Sequence, residues 1–120
     1  MKMIKSVVLL FAGLFLLHFS YAQASPEKEN IKVYGNCGMC KKTIEANAKN
    51  AGATAAEWSS KTKQLLVNYD PSVTSGAKIQ QAIAKAGYDT QDFTADDNAY
   101  QNLEECCQYE RKSVAAKENK

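Results

Sequence analysis

Two pairs of cysteines carry the chemistry that this chain can do. Cys37 and Cys40 stand three positions apart in Gly35-Asn36-Cys37-Gly38-Met39-Cys40-Lys41-Lys42, and Cys106 and Cys107 are adjacent near the other end. With Cys37 on a loop and Cys40 in the first turn of a helix, both sulfurs converge on one point. The positive end of the helix dipole, with Lys41 and Lys42 close by, favours thiolate over thiol. Thiolates select soft ions such as Cu(I), Hg(II), Cd(II) or Zn(II) over hard ones. Two sulfurs alone hold Cu(I) or Hg(II) in near-linear coordination and leave room for an incoming ligand, whereas Zn(II) wants four ligands for a closed site. A two-thiolate site near the surface is therefore suited to handing an ion on.

The same spacing serves other chemistries. A Cys-x-x-Cys pair can be a redox dithiol that exchanges disulfides, or a local disulfide in a small structural or interaction domain. A thioredoxin-like redox site expects a βαβ unit around the motif and a proline opposite it, but the segment before Cys37 holds one strand at most and Pro71 reads as a turn. Cys106 and Cys107 fall at helical spacing with Tyr100 and Leu103, so one of them can pack as a small apolar residue. Alternatively the tail folds back and brings a thiolate to Cys37 and Cys40. That would make a three- or four-sulfur site with a preference for Zn(II) or Cd(II), or a tighter hold on Hg(II) or Cu(I). A ring between the two adjacent cysteines is strained and ranks last. Met39 is either a soft third ligand or a cover for the core, and Lys41 and Lys42 either assist the thiolates or form a solvated face. The only histidine, His18, lies in an N-terminal segment expected to be removed, which excludes histidine acid–base chemistry and points to a binding protein rather than an enzyme.

That segment has the pattern of a cleavable signal peptide over residues 1–24. Lys2 and Lys5 precede the 13-residue apolar run Val7–Phe19, and Ala22-Gln23-Ala24 has the small-x-small form of a cleavage site. A bilayer-spanning helix needs about 20 residues, so export without a retained span is expected, with a periplasmic or similar destination. Of the 15 basic residues, loss of Lys2 and Lys5 leaves a balance with the 13 acidic ones. A neutral chain lacks the basic stripe of a nucleic-acid binder.

The elements that must position the thiols follow from pattern. Ser25–Asn30 reads as a polar leader and Ile31–Tyr34 as a strand; a helix follows from Met39 or Cys40 to about Lys49, with Ile44 and Ala48 inward and Gly52 just past its end. Ala53–Ser59 and Thr62–Tyr69 form a hairpin, ended by Asp70-Pro71. Thr74 or Ser75 caps a second helix to about Ala86, with Ile79, Ala82, Ile83 and Ala86 inward, and Tyr88–Phe93 is a last strand. The order β-α-β-β-α-β is the ferredoxin-like α+β sandwich, with both helices on one face of an antiparallel sheet. A third helix is expected from Asp96-Asp97 to about Arg111, so that residues 94–120 form a helical tail with a frayed end.

The stretch 31–93 resembles a heavy-metal-associated domain, the family of copper chaperones, of metal-binding modules on copper-transporting ATPases and of the periplasmic mercuric-ion-binding protein. The matching pieces are Ile31–Tyr34, the Cys37/Cys40 pair opening a helix, Leu65-Leu66-Val67-Asn68-Tyr69-Asp70-Pro71 and Ala82-Ile83-Ala84-Lys85-Ala86-Gly87-Tyr88. The resemblance implies that Cys37 and Cys40 are metal ligands and that Tyr88 lies beside the metal loop. It also implies a soft ion as cargo, Cu(I) or Hg(II) before Zn(II) or Cd(II). A membrane metal transporter or another thiol-bearing domain would receive it. One departure stands out: Gly35-Asn36 directly precedes Cys37, where the family usually has Gly-Met ahead of a small residue, and the methionine here, Met39, lies between the cysteines.

Overall fold

Alternation along the strands and four-residue repeats along the helices put one apolar set on one side of a sheet. The structure, a computed structural model, describes residues 25–112. The expected signal segment and the end of the tail lie outside these residues. The elements are β1 (Glu27–Lys32), α1 (Gly38–Asn50), β2 (Ala55–Trp58), β3 (Gln64–Tyr69), α2 (Gly76–Lys85) and α3 (Asp97–Gln101), followed by a 3-10 helix, Glu105–Cys107. The strands form an antiparallel sheet in the order β1-β3-β2, with Ile31 opposite Leu65 and Trp58 also opposite Leu65.

The inward positions of the sheet are Ile31, Val33, Trp58, Leu65, Val67 and Tyr69, all buried. Against them α1 presents Cys40, Ile44 and Ala48, spaced four apart, and α2 presents Ile79 and Ile83. Ser75 caps α2, its hydroxyl accepting from the Lys78 N–H at 3.2 Å. Trp58 fills the centre, where its indole N–H donates to the Val33 carbonyl at 3.0 Å. Gly35 is the price of that ring: a Cβ there would lie 2.9 Å from the indole and 3.0 Å from Ile44. No helix among the described residues is long and apolar enough to cross a membrane.

Three expectations are corrected. The first strand begins at Glu27 rather than Ile31, so most of the supposed leader is sheet: its polar residues pair with β3, and Glu27 and Glu29 accept from the Tyr69 hydroxyl at 3.1 and 3.0 Å. The last strand is reduced to a single bridge between Val33 and Thr90. The chain turns back there, because Thr90 N–H donates to Phe93 O at 2.8 Å and the Thr90 hydroxyl is spent on Gln80. The tail is not one helix to Arg111. It breaks after Gln101, and Glu104 is extended (φ −53°, ψ 147°) before the 3-10 turn.

The break lets the tail run as a strap across the fold. Tyr109 is buried, its hydroxyl donating to Gly87 O at 2.8 Å and accepting from Asp89 N–H at 2.6 Å. Arg111 then grips the Asp89 carboxylate through Nη2 at 2.8 Å and Nε at 3.1 Å. Asp89 is only 1% exposed. Burial alone would raise its pKa, but the Arg111 guanidinium and the N–H groups of Ala95 and Lys112 outweigh that and hold the carboxyl below its usual range. The folded state therefore binds this proton less readily than the unfolded chain. The stability it contributes is complete above the unfolded value of about 3.9 and is lost as pH falls through the lower folded value. Replacing Arg111 with Ala should cost about 3 kcal/mol in denaturant unfolding at neutral pH, since it strands a buried carboxylate. The gap to the parent should narrow at about pH 3. An equal gap at both pH values would reduce Arg111 to a packing role.

Candidate metal centre

Cys37 is the residue before α1, with extended backbone (φ −132°, ψ −177°) and no capping hydrogen bond from its side chain, next to the unpaired amides of the first helical turn. The N–H groups of Cys40 and then Met39 stabilise its thiolate and lower its pKa to about 7. Cys40 lies on the inner face of α1 in the same stripe as Ile44 and Ala48 and is fully buried. The two sulfurs are 3.8 Å apart. The loop thus offers one accessible, ionisable thiol and one held in the core.

The strap adds a third sulfur. The Sγ atoms of Cys37, Cys40 and Cys107 all lie within 4.8 Å of one another. Cys107 is 2% exposed, and burial pushes its thiol up to about 12. Cys106 is exposed; its sulfur lies 4.0 Å from that of Cys107 and 3.8 Å from the Met39 thioether. Its carbonyl accepts from the Asn36 side-chain amide at 3.2 Å and from the Cys37 thiol at 3.4 Å. All four cysteines are free thiols.

Tyr88 is buried beside these sulfurs. Burial first, and then hydrogen bonding with Cys107 and Cys40, raises its hydroxyl pKa, while its ring stacks on Tyr109 at 5.6 Å between centroids. Met39 is 51% exposed, so it does not cover the core. Lys41 turns away from the thiols: its ammonium pairs with Glu45 at 2.6 Å and donates to Trp58 O at 3.0 Å. The lowering of the Cys37 thiol is thus the work of backbone amides, not of a lysine. Sequence reasoning missed Asn36, Asp89, Tyr109 and Arg111. The signal for the last two was present, since Cys107, Tyr109 and Arg111 alternate with Gln108 and Glu110 at the period of an extended chain.

A ferredoxin-like fold with a cysteine pair opening its first helix defines a class of small metal-domain proteins. The chain belongs to the heavy-metal-associated domain family, whose model matches residues 36–89. It is 36% identical over 64 residues to the copper chaperone CopZ of Staphylococcus aureus, covering 52% of this chain and 94% of that protein. Among solved structures it is similar to oxidized MerP from Ralstonia metallidurans, with 26% identity, a TM-score of 0.53 and coverage of 56% of this chain and 96% of that one. It is also similar to the water-soluble region of the P-type ATPase CopA from Bacillus subtilis, with 33% identity and a TM-score of 0.51, covering 56% of this chain and 46% of that one. Cys106 and Cys107 lie beyond the matched family segment.

Because Cys37 is the accessible thiol with the lowered pKa, it should be alkylated first. Its rate should rise with pH through a midpoint of about 7, while the buried Cys40 and Cys107 react last. Peptide mapping after brief iodoacetamide treatment of the reduced, metal-free protein reads both. A midpoint near the ordinary thiol value of about 8.5 would contradict the assignment of the amides to Cys37.

Proposed function

We propose that this protein is an exported carrier of soft metal ions, which captures Cu(I) or Hg(II) through Cys37 and Cys40 and passes the ion to a partner that presents its own thiols. One observation carries this reading: a partly exposed thiol, Cys37, lies 3.8 Å from the buried thiol of Cys40 at a helix start. The accessible sulfur meets the ion and the buried one fixes it. A partner thiolate can then enter on the open side and take the ion by exchange, with no net catalysis. The likeness to a copper chaperone and to part of a P-type ATPase supports copper as cargo and a membrane metal transporter, or a domain of one, as receiver. Hg(II) enters by its chemistry, since it shares the preference of Cu(I) for few thiolate ligands; Zn(II) and Cd(II) are weaker candidates.

The lowered Cys37 thiol also suits a nucleophile, and thiol–disulfide exchange through Cys37 and Cys40 is the second reading. Anaerobic titration of the reduced protein with Cu(I), Hg(II) and Zn(II) against competing chelators separates the two. One ion per chain should bind in competition, and binding should vanish in the Cys37→Ser/Cys40→Ser double variant while the circular dichroism spectrum stays unchanged. Persistence of tight binding in that variant overturns the carrier reading. Failure of the parent to compete for any of these ions, with rapid reduction of a test disulfide, would establish the redox alternative. Export rests on the Lys2/Lys5 start and the apolar run Val7–Phe19. N-terminal sequencing of the processed protein should begin at Ser25; recovery of an intact Met1 from the membrane fraction would contradict it.

A further inference from the structure

We propose that the C-terminal strap completes the metal centre: Cys107 is a third thiolate, and the bound ion sits in a three-sulfur pocket rather than on the two-sulfur loop alone. This rests on the carrier reading above and adds a ligand that the family segment, residues 36–89, does not contain.

With metal–sulfur bonds of about 2.3 Å, a linear ion sets its two sulfurs about 4.6 Å apart, whereas a trigonal ion sets each pair about 4 Å apart. Cys37 and Cys40 are 3.8 Å apart, and Cys107 joins them within 4.8 Å. The pair is closer than a linear two-sulfur ion sets it, which suits an ion with at least one further ligand, and Cys107 is the sulfur in place to supply it.

The strap is held on both sides of Cys107. On one side, the Asn36 side-chain amide donates to the Cys106 carbonyl at 3.2 Å, a link between the metal loop and the strap that does not depend on the Cys37 proton. On the other side, Tyr109 is fixed by Gly87 and Asp89, and the Tyr100 hydroxyl donates to the Tyr109 carbonyl at 2.6 Å. The adjacent Cys106 points outward and is exposed, so the two cysteines divide between an inner and an outer position.

On binding, each coordinating thiol gives its proton to solvent and forms one metal–sulfur bond. With Hg(II), three thiolates leave a single residual negative charge. The amides at the start of α1 and the Tyr88 hydroxyl lie at the sulfurs to face it. Release to a partner then requires that its thiols replace Cys107 as well as the loop pair, so the strap sets how tightly the ion is retained.

The test is Hg(II) bound to the full-length reduced protein without added thiol, at one ion per monomer by native mass spectrometry, with the coordination number and Hg–S distance read by X-ray absorption. The parent should show three sulfurs. Cys107→Ala should show two, with shorter bonds, and should lose more affinity in chelator competition than the roughly tenfold that removal of a supporting outer group typically costs. Cys106→Ser should keep three. Two-coordinate Hg(II) in the parent, which needs no variant to observe, overturns the proposal and leaves the two-thiolate carrier standing. Loss of the third sulfur in Cys106→Ser but not in Cys107→Ala overturns it equally. Unchanged binding in the Cys37→Ser/Cys40→Ser double would instead remove the carrier reading beneath it.

Discussion

A single buried carboxylate, that of Asp89, ties together the parts of this molecule that the thiols depend on. Its oxygens accept from Arg111, from the Ala95 N–H at 2.8 Å and from the Lys112 N–H at 3.1 Å. Its own backbone is used as fully. The N–H meets the Tyr109 hydroxyl, and the carbonyl accepts from the Tyr34 N–H at 2.9 Å. Tyr34 leads directly into Gly35-Asn36-Cys37, and Asp89 follows Tyr88, which lies against the sulfurs. An ionised group at this depth is tolerated only when its lone pairs are filled and an opposite charge is near. Asp89 meets both conditions, and in doing so it fixes the exit of β1, the exit of α2 and the strap relative to one another.

Within that frame the loop thiols are made unequal by position alone. Cys40 belongs to the core stripe of α1, so its sulfur is shielded from solvent; Cys37 belongs to the cap, so its sulfur meets solvent and the free amides. Amides at a helix start act over short range and with fixed geometry. Lys41 is spent on Glu45 and Trp58, where it links α1 to the end of β2. The ionisation of Cys37 is therefore governed first by the backbone.

Much of this was legible in the sequence because it rests on periodicity. Ile44 and Ala48, Leu65 and Val67, and Ile79 and Ile83 announce their inner faces by spacing, and Gly35-Asn36-Cys37-Gly38 announces the loop between strand and helix. What escaped rests on pairing between distant segments. Glu27–Asn30 carries no apolar alternation, and its strand exists because β3 and the Tyr69 hydroxyl receive it. Thr90 looked like the middle of a strand, yet Gln80 and Phe93 capture it and turn the chain. In the tail, Tyr100 and Leu103 gave a helical period that stops at Gln101, and the alternation from Cys107 to Arg111 took over unnoticed. Residues that serve a tertiary anchor can imitate a local pattern over one turn, and only the partner, here Asp89, separates the two.

The central claim is that a soft ion is held by the sulfurs that the α1 start and the strap bring together. Crystals of the protein loaded with one equivalent of Hg(II), measured at the mercury absorption edge, locate the ion without reference to any assumed ligand. The account predicts one dominant anomalous peak within bonding distance of the Cys37, Cys40 and Cys107 sulfurs. A dominant peak on the outer face between Cys106 and Met39, with the inner sulfurs still protonated or joined to each other, would contradict it.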